Sequence, residues 1–237
     1  MRVLPAGEAA IGEAVNVLRA GGLVVCPTMT NYVVVCDAAN REAVKRVFAV
    51  KRRTKLGPLP ISVRDVDQFL EIGEVPPSLD ANLLRSMWPS ELAVIVKQRF
   101  PFPPELTCGI MTIACSQSRH PVAAALQAAY DLPLAASSAN ISGVTVRVVT
   151  LEIAKEQLGE SVDLYVDDGP TPGEQLADQT IANSIVDLSF DVPIVCRLGT
   201  FPLDQMRALV PGAVYDPIRY QELLEQRAAV RPLTAPG

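Results

Sequence analysis

Four short stretches of the chain concentrate side chains able to handle a charged ligand. The first is Lys51-Arg52-Arg53, with Lys55 and the turn Gly57-Pro58-Leu59 close behind. Arginine presents a planar fork of donors to a phosphate or carboxylate, and lysine a compact point charge. A solvated basic turn at a helix end is the competing reading, because the helix dipole favours cations there. The second stretch is Ser137-Ser138-Ala139-Asn140-Ile141-Ser142-Gly143, which follows an apolar run. Strand ends in α/β folds are where ligands bind. Hydroxyl and amide groups there can hold phosphate or ribose oxygens, and Gly143 lets the backbone come close. An ordinary polar turn has the same composition. It is not a Walker A loop, since the G-x-x-x-x-G-K-[ST] order is absent, nor a G-x-S-x-G nucleophile elbow.

The third stretch, Pro27-Thr28-Met29-Thr30-Asn31-Tyr32, sets two hydroxyls between apolar runs, as a simple hairpin loop also would. The fourth is Asn183-Ser184-Ile185-Val186-Asp187 followed by Arg197-Leu198-Gly199. An arginine closing an apolar strand needs an acceptor if buried. A phosphate or a structural carboxylate serves equally.

These groups need a frame. Apolar spacing predicts a helix over Glu8 to Ala20, closed by Gly21-Gly22. Leu23 to Cys26 and Tyr32 to Cys36 read as buried strands on either side of the threonine loop. Asn40 is an N-cap for a helix to Val50, which delivers the basic cluster, and Leu59 to Val63 reads as the next strand. Asp65 is placed to cap a short helix, and Pro77 to Ser86 reads as another. Ala93 to Val96 and Met111 to Cys115 read as strands around a proline-rich turn at Phe100 to Pro104. Pro121 to Tyr130 is an alanine-rich helix, and Leu134 to Ala136 leads into the serine-asparagine loop. Beyond it come a helix over Thr150 to Leu158 and strands over Leu164 to Val166, Asn183 to Leu188 and Ile194 to Leu198. Strands and helices mix without a regular βαβ repeat, which predicts an α/β domain on a twisted mixed sheet. From about Tyr215 on, a short helix and a Pro-containing tail are expected at the surface.

Bulk properties narrow the chemistry. The chain has 237 residues, 49% of them hydrophobic, enough for one domain with a buried core. A formal net charge of -5 argues against a whole-molecule nucleic-acid footprint. Cys26, Cys36, Cys108, Cys115 and Cys196 form no CxxC pair, so a zinc site is not expected. Their odd number favours reduced thiols and a cytoplasmic location. No apolar run approaches the ~18 residues of a membrane span. His120 is the single histidine, which disfavours mechanisms needing several imidazoles.

The order of the motifs is more informative than any one of them. Pro27-Thr28-Met29-Thr30-Asn31-Tyr32, Lys51-Arg52-Arg53 with Pro58-Leu59, and Trp88-Pro89 come first. Ser138-Ala139-Asn140 with Ser142-Gly143, Asp167-Asp168-Gly169-Pro170 and Arg197-Leu198-Gly199 follow. This succession resembles the YrdC/Sua5 family, over residues 8–208, with 209–237 as a C-terminal extension. The resemblance implies a single YrdC-like domain: an open twisted mixed sheet with flanking helices and a deep basic cavity. It implies synthesis of threonylcarbamoyl-AMP and pyrophosphate from L-threonine, bicarbonate and ATP, with Mg²⁺ travelling on the ATP. Lys51 and Arg53 would face the reacting carboxylate and phosphates. Ser138, Asn140, Ser142, Ser184 and Arg197 would bind the nucleotide, and Thr28, Thr30 and Tyr32 the amino acid. The product would pass to a downstream carbamoyl-transferase for tRNA modification, with no direct nucleic-acid binding and no membrane contact by this chain.

Departures from the family pattern lie on one side. Val33-Val34 stands for Gly-Leu, and Ser90-Glu91-Leu92-Ala93 for Gly-x-Leu-Thr. Ser116 occupies the place of an arginine, with Arg119 three residues on, and Ser62 the place of a histidine. Two alternatives therefore stand beside the threonine enzyme. One is a paralogue making the carbamoyl-adenylate of another amine or amino acid. The other is a non-catalytic nucleotide- or RNA-binding module. Lys51 is expected to be exposed, so that its removal would spare the fold.

Overall fold

A computed structural model describes residues 1–53, 57–175 and 182–230, the last three by their backbone alone. Lys55 lies outside the described residues. From the N-terminus, β1 (Val3–Pro5) and α1 (Glu8–Arg19) precede the pair β2 (Val24–Pro27) and β3 (Tyr32–Asp37). Then come α2 (Arg41–Val50), β4 (Ile61–Ser62), α3 (Val66–Ile72), β5 (Gly73–Glu74), α4 (Ala81–Met87) and β6 (Leu92–Gln98). The middle of the chain gives α5 (Pro104–Thr107), β7 (Thr112–Ser116), α6 (Pro121–Tyr130), β8 (Leu134–Ser138), α7 (Leu151–Leu158) and β9 (Leu164–Asp167). The last part is α8 (Pro172–Gln175), β10 (Ser184–Asp187), β11 (Ile194–Arg197), α9 (Leu203–Leu209), β12 (Val214–Tyr215) and α10 (Pro217–Val230).

The described strands form one mixed sheet in the order β1-β9-β2-β3-β8-β4-β7-β6-β10-β11-β12, with β5 on the side of β6. β2 runs antiparallel to β3, and β3 to β8, while β4 runs parallel to β7 and β6 to β10. Side chains alternate between the faces of a strand, and both faces here are covered. On β2, Val25 enters one apolar cluster while Val24 and Cys26 enter another. The second cluster is closed by α1 and α6 through Ala10, Ala14, Leu18, Val122, Leu126 and Tyr130.

Local chemistry accounts for the helix ends. The side chains of Asn40, Asp65, Asp80 and Thr150 accept backbone N–H groups at the starts of α2, α3, α4 and α7. α6 starts with Pro121 in its first turn, where a missing N–H costs nothing. Some elements differ from the sequence reading. The Leu59 to Val63 run yields a two-residue strand, because Pro60 has no N–H for the ladder. Leu59 N–H instead reaches Leu106 O, and Val63 N–H reaches Ser116 O. The Pro77 to Ser86 helix begins only at Ala81, where Asp80 caps it. The proline-rich turn runs into the one-turn helix α5. The segment past Leu209 adds β12 to the sheet, parallel to β11. In α10, Tyr220 donates to buried Asp187 at 3.1 Å and Arg227 lies over the Phe190 ring at 4.0 Å.

Candidate functional site

A cavity of about 330 Å³ opens between α6 and the strands beneath it. Its floor comes from β2, β3 and β8, and its ends from the segments that follow β2 and β7, those that precede β6 and β10, and Arg197 at the end of β11. Thr28, Thr30, Ser138 and Arg197, far apart in the chain, all line it. The two threonines sit in a tight loop. Thr28 Oγ1 donates to Asn31 O at 2.7 Å and lies 3.3 Å from Thr30 Oγ1. The loop is pinned from below, where Gly173 N–H donates to Met29 O at 3.0 Å. A Cβ at Gly173 would collide with the Thr30 carbonyl, so only glycine fits this approach.

The serine-asparagine loop is fixed by Lys51. Its Nζ donates to Ser138 O and, at 2.7 Å, to Asn140 O, while Ser142 N–H returns a bond to Lys51 O at 2.8 Å. Ser138 Oγ donates to Asn140 Oδ1 at 2.7 Å, and Asn140 Nδ2 donates to Val144 O at 3.2 Å. Lys51 is 3% exposed. Burial, with Arg53 nearby, pushes its ammonium down to about 8. The expectation of an exposed lysine that the fold does not need is therefore corrected. The cause is the pair of carbonyls on the loop after β8, 87 and 89 residues away, which local sequence cannot reveal.

The remaining candidates fall into two sets. Arg53 stands two residues past Lys51, its guanidinium 5.5 Å from the centre of the Phe48 ring. Burial lowers its pKa, and no carboxylate pairs with it among the described residues. Arg197 reaches the cavity from the end of β11, with Nε donating to Asn183 O at 2.8 Å and burial again lowering its pKa. Ser142 is half-buried beside the loop. Lys51, Arg53, Asn140, Ser142, Tyr32 and Ser184 are not among the residues that line the cavity. Tyr32 is fully buried and donates to Gly169 O at 2.7 Å, which ties β3 to the Asp-Gly-Pro turn. Ser184 donates to Phe201 O at 2.7 Å and accepts from Gly199 N–H at 2.9 Å, which steadies the chain just past Arg197.

The sequence marks Arg119 and Glu91 as departures from the family pattern, but not that the two pair on the wall. Glu91 and Arg119 both line the cavity, and Arg119 Nε donates to Glu91 Oε1 at 2.6 Å. Twenty-eight residues separate them, and no local spacing links the two. With Arg197 they are the charged residues of the described lining. No described group of three or more His, Cys, Asp or Glu side chains is placed to hold a metal ion. No described helix is long and apolar enough to cross a membrane.

Residues 16–199 match the model of the Sua5/YciO/YrdC family, which is described as Telomere recombination. The chain belongs to that family. A threonylcarbamoyl-AMP synthase of Bacillus subtilis is 28% identical over 208 residues, covering 87% of this chain and 58% of the relative. A Mycobacterium tuberculosis relative is 34% identical over 189 residues, covering 80% of this chain and 83% of its own length. The crystal structure of Pyrococcus abyssi Sua5 complexed with L-threonine superposes with a TM-score of 0.80 at 26% identity, over 92% of this chain and 63% of that one. The chain thus spans less than two thirds of the length of the Bacillus and Pyrococcus proteins. Its open twisted sheet is the fold of the Sua5/YciO/YrdC family. The Lys51, Ser138 and Asn140 contacts join two of the family-like motifs into one unit.

Proposed function

We propose that the chain makes threonylcarbamoyl-AMP and pyrophosphate from L-threonine, bicarbonate and ATP. The carrying observation is the convergence at Ser138. Its side lines the cavity with Thr28, Thr30 and Arg197, its carbonyl is held by Lys51, and its hydroxyl is held by Asn140. Relatives named for the same activity, and a Sua5 bound to L-threonine, support the reading.

In this reading the amine of threonine bonds to the carbon of CO₂ drawn from bicarbonate, loses a proton and becomes a carbamate. A carbamate oxygen then attacks the α-phosphorus of ATP. The bond from that phosphorus to the β-phosphate oxygen breaks, and pyrophosphate leaves with the electron pair. Negative charge collects on the non-bridging and leaving oxygens, where fixed cations stabilise it without reorganising. Arg197 supplies that charge from the cavity wall, and Arg53 adds to it from outside the lining. Lys51 is chiefly a positioning residue: its N–H bonds hold the Ser138–Asn140 loop, and its charge lies behind that loop. Ser138, Asn140 and Ser142 bind the phosphates through that loop. Thr28 and Thr30 face the amino acid. Tyr32 and Ser184 act indirectly, by fixing the elements around them. Mg²⁺ enters as part of the MgATP substrate, held by its phosphates. The reaction needs positioning more than proton relays, which suits a chain with one histidine. We place the activity in the cytoplasm, upstream of a carbamoyl-transferase that modifies tRNA.

The test is product analysis. Incubated with MgATP, bicarbonate and L-threonine, the protein is expected to give the threonylcarbamoyl–AMP anhydride by mass spectrometry, with release of pyrophosphate. Anhydride formed from another amine but not from threonine would replace the substrate. No anhydride with any amine would remove the enzyme reading.

A further inference from the structure

The wall formed by the ends of β4, β6 and β7 is unlike the rest of the cavity. Ser62 and Ser116 sit opposite each other across parallel strands, and both line the cavity. Neither side chain makes a hydrogen bond among the described residues. Ser90 Oγ, in the same wall, is buried with no hydrogen-bond partner among the described residues. A buried hydroxyl without a partner is an unmade hydrogen bond in need of a reason. The Glu91–Arg119 pair lines the same cavity.

That pair is half committed. Glu91 is held in place, with its side chain 10% exposed and its carbonyl accepting Ser184 N–H at 2.9 Å. One carboxylate oxygen takes Arg119 Nε, which orients the guanidinium. The other carboxylate oxygen, and the two terminal nitrogens of Arg119, have no partner among the described residues. Arg119 is 50% exposed, so the free edge of its fork is accessible. The pair has no net charge but a strong local dipole. A lone anion gains little from it, since the carboxylate opposes what the guanidinium attracts. A zwitterion matches it at both ends.

We propose that Glu91 and Arg119 form the amino-acid subsite, with Arg119 binding the α-carboxylate and the free oxygen of Glu91 accepting from the α-ammonium. The wall then selects α-amino acids over simple amines and simple acids. Ser62, Ser90 and Ser116 are the neutral donors and acceptors for a side-chain hydroxyl. The phosphates are left to Arg197 and the Ser138 loop. The inference rests on the reading that this cavity takes an amino acid, and it assigns the groups that recognise one.

The test pairs altered ligands with altered proteins, by calorimetry on the full chain. The ligands are L-threonine, 1-amino-2-propanol, which lacks the carboxylate, and 3-hydroxybutyrate, which lacks the ammonium. The proteins are wild type, Arg119→Gln and Glu91→Gln, the latter keeping an acceptor for Arg119 Nε. Wild type is expected to bind L-threonine about 10- to 100-fold more tightly than either analogue, the usual worth of one charged hydrogen bond. Arg119→Gln is expected to lose the preference over 1-amino-2-propanol and keep that over 3-hydroxybutyrate. Glu91→Gln is expected to do the reverse. Variants that weaken all three ligands equally, or that change none, overturn the proposal, as does a wild type that binds no amino acid. Anhydride formation is followed in parallel. Wild-type turnover with unchanged discrimination in the variants sinks this subsite and leaves the reaction standing. Selective discrimination without turnover does the opposite.

Discussion

Replacing Lys51 by methionine is the most informative single change, because the structure gives it a cost in stability as well as in activity. Methionine fills a similar volume but offers no donor. The carbonyls of Ser138 and Asn140 would each lose the N–H they now accept, in a place where the lysine is 3% exposed. A buried acceptor left unpaired costs about 1–3 kcal/mol, so the two together cost about 2–6 kcal/mol. For a chain of this size each kcal/mol lowers Tm by about 2–4 °C, which places a loss of about 4 kcal/mol at roughly 8–16 °C. Urea titration reads the free energy directly, with an unchanged slope expected if only stability moves. The charge adds a pH signature. Lys51 titrates at about 8 in the folded protein against an ordinary 10.5. Between those values the unfolded chain still holds a proton that the native state has shed, so native stability gains as pH rises. The contribution is complete above 10.5 and is lost as pH falls through about 8. The difference in unfolding free energy between wild type and Lys51→Met should therefore widen across that window. A loss below about 0.5 kcal/mol, the scale of an ordinary surface change, would refute the structural role. A difference that narrows from pH 8 to 10.5 would refute the direction of the shift.

Three other perturbations bear on the same cavity. Asn140→Ala removes two hydrogen bonds that close the loop after β8, each worth about 1 kcal/mol. ATP affinity should fall about tenfold or more, and an unchanged affinity by calorimetry would contradict the loop's role. Arg197→Ala should cut kcat roughly 10²–10³-fold with little change in L-threonine binding; near-normal turnover would remove Arg197 from the chemistry. Gly173→Ala forces a Cβ against the Thr30 carbonyl and should raise KM for the amino acid while sparing that for ATP. Equal effects on both would mean that the loop does not belong to one substrate.

What the sequence revealed was mostly local. Pro121 in the first turn and the polar groups of Asn40, Asp65 and Thr150 mark helix starts that the structure keeps, because each cap is satisfied by its own next turn. The strands that flank the threonine loop were legible from apolar runs buried on both faces. Short edge elements were not. β1 and β12 have three and two residues, and each exists only because a strand distant in sequence, β9 or β11, offers a parallel partner. The site followed the same division. The Lys51 and Ser138–Asn140 motifs were legible as polar stretches, and the structure joins them by hydrogen bonds. The burial of Lys51 and the pairing of Glu91 with Arg119 depend on which strands end side by side, and sheet order carries no local signature. Tyr32 and Ser184 show the converse. They lie in motif positions yet spend their hydroxyls on backbone carbonyls of neighbouring turns.

The most direct measurement is a crystal structure of the protein with L-threonine and a non-hydrolysable ATP analogue. The amino acid is expected between Thr30 and the Glu91–Arg119 pair, with the phosphates against Ser138 and Arg197 and the threonine nitrogen facing the α-phosphate. Ligands bound elsewhere on the molecule, leaving the space between Thr30 and Ser138 to solvent, would contradict a single cavity in which both substrates meet.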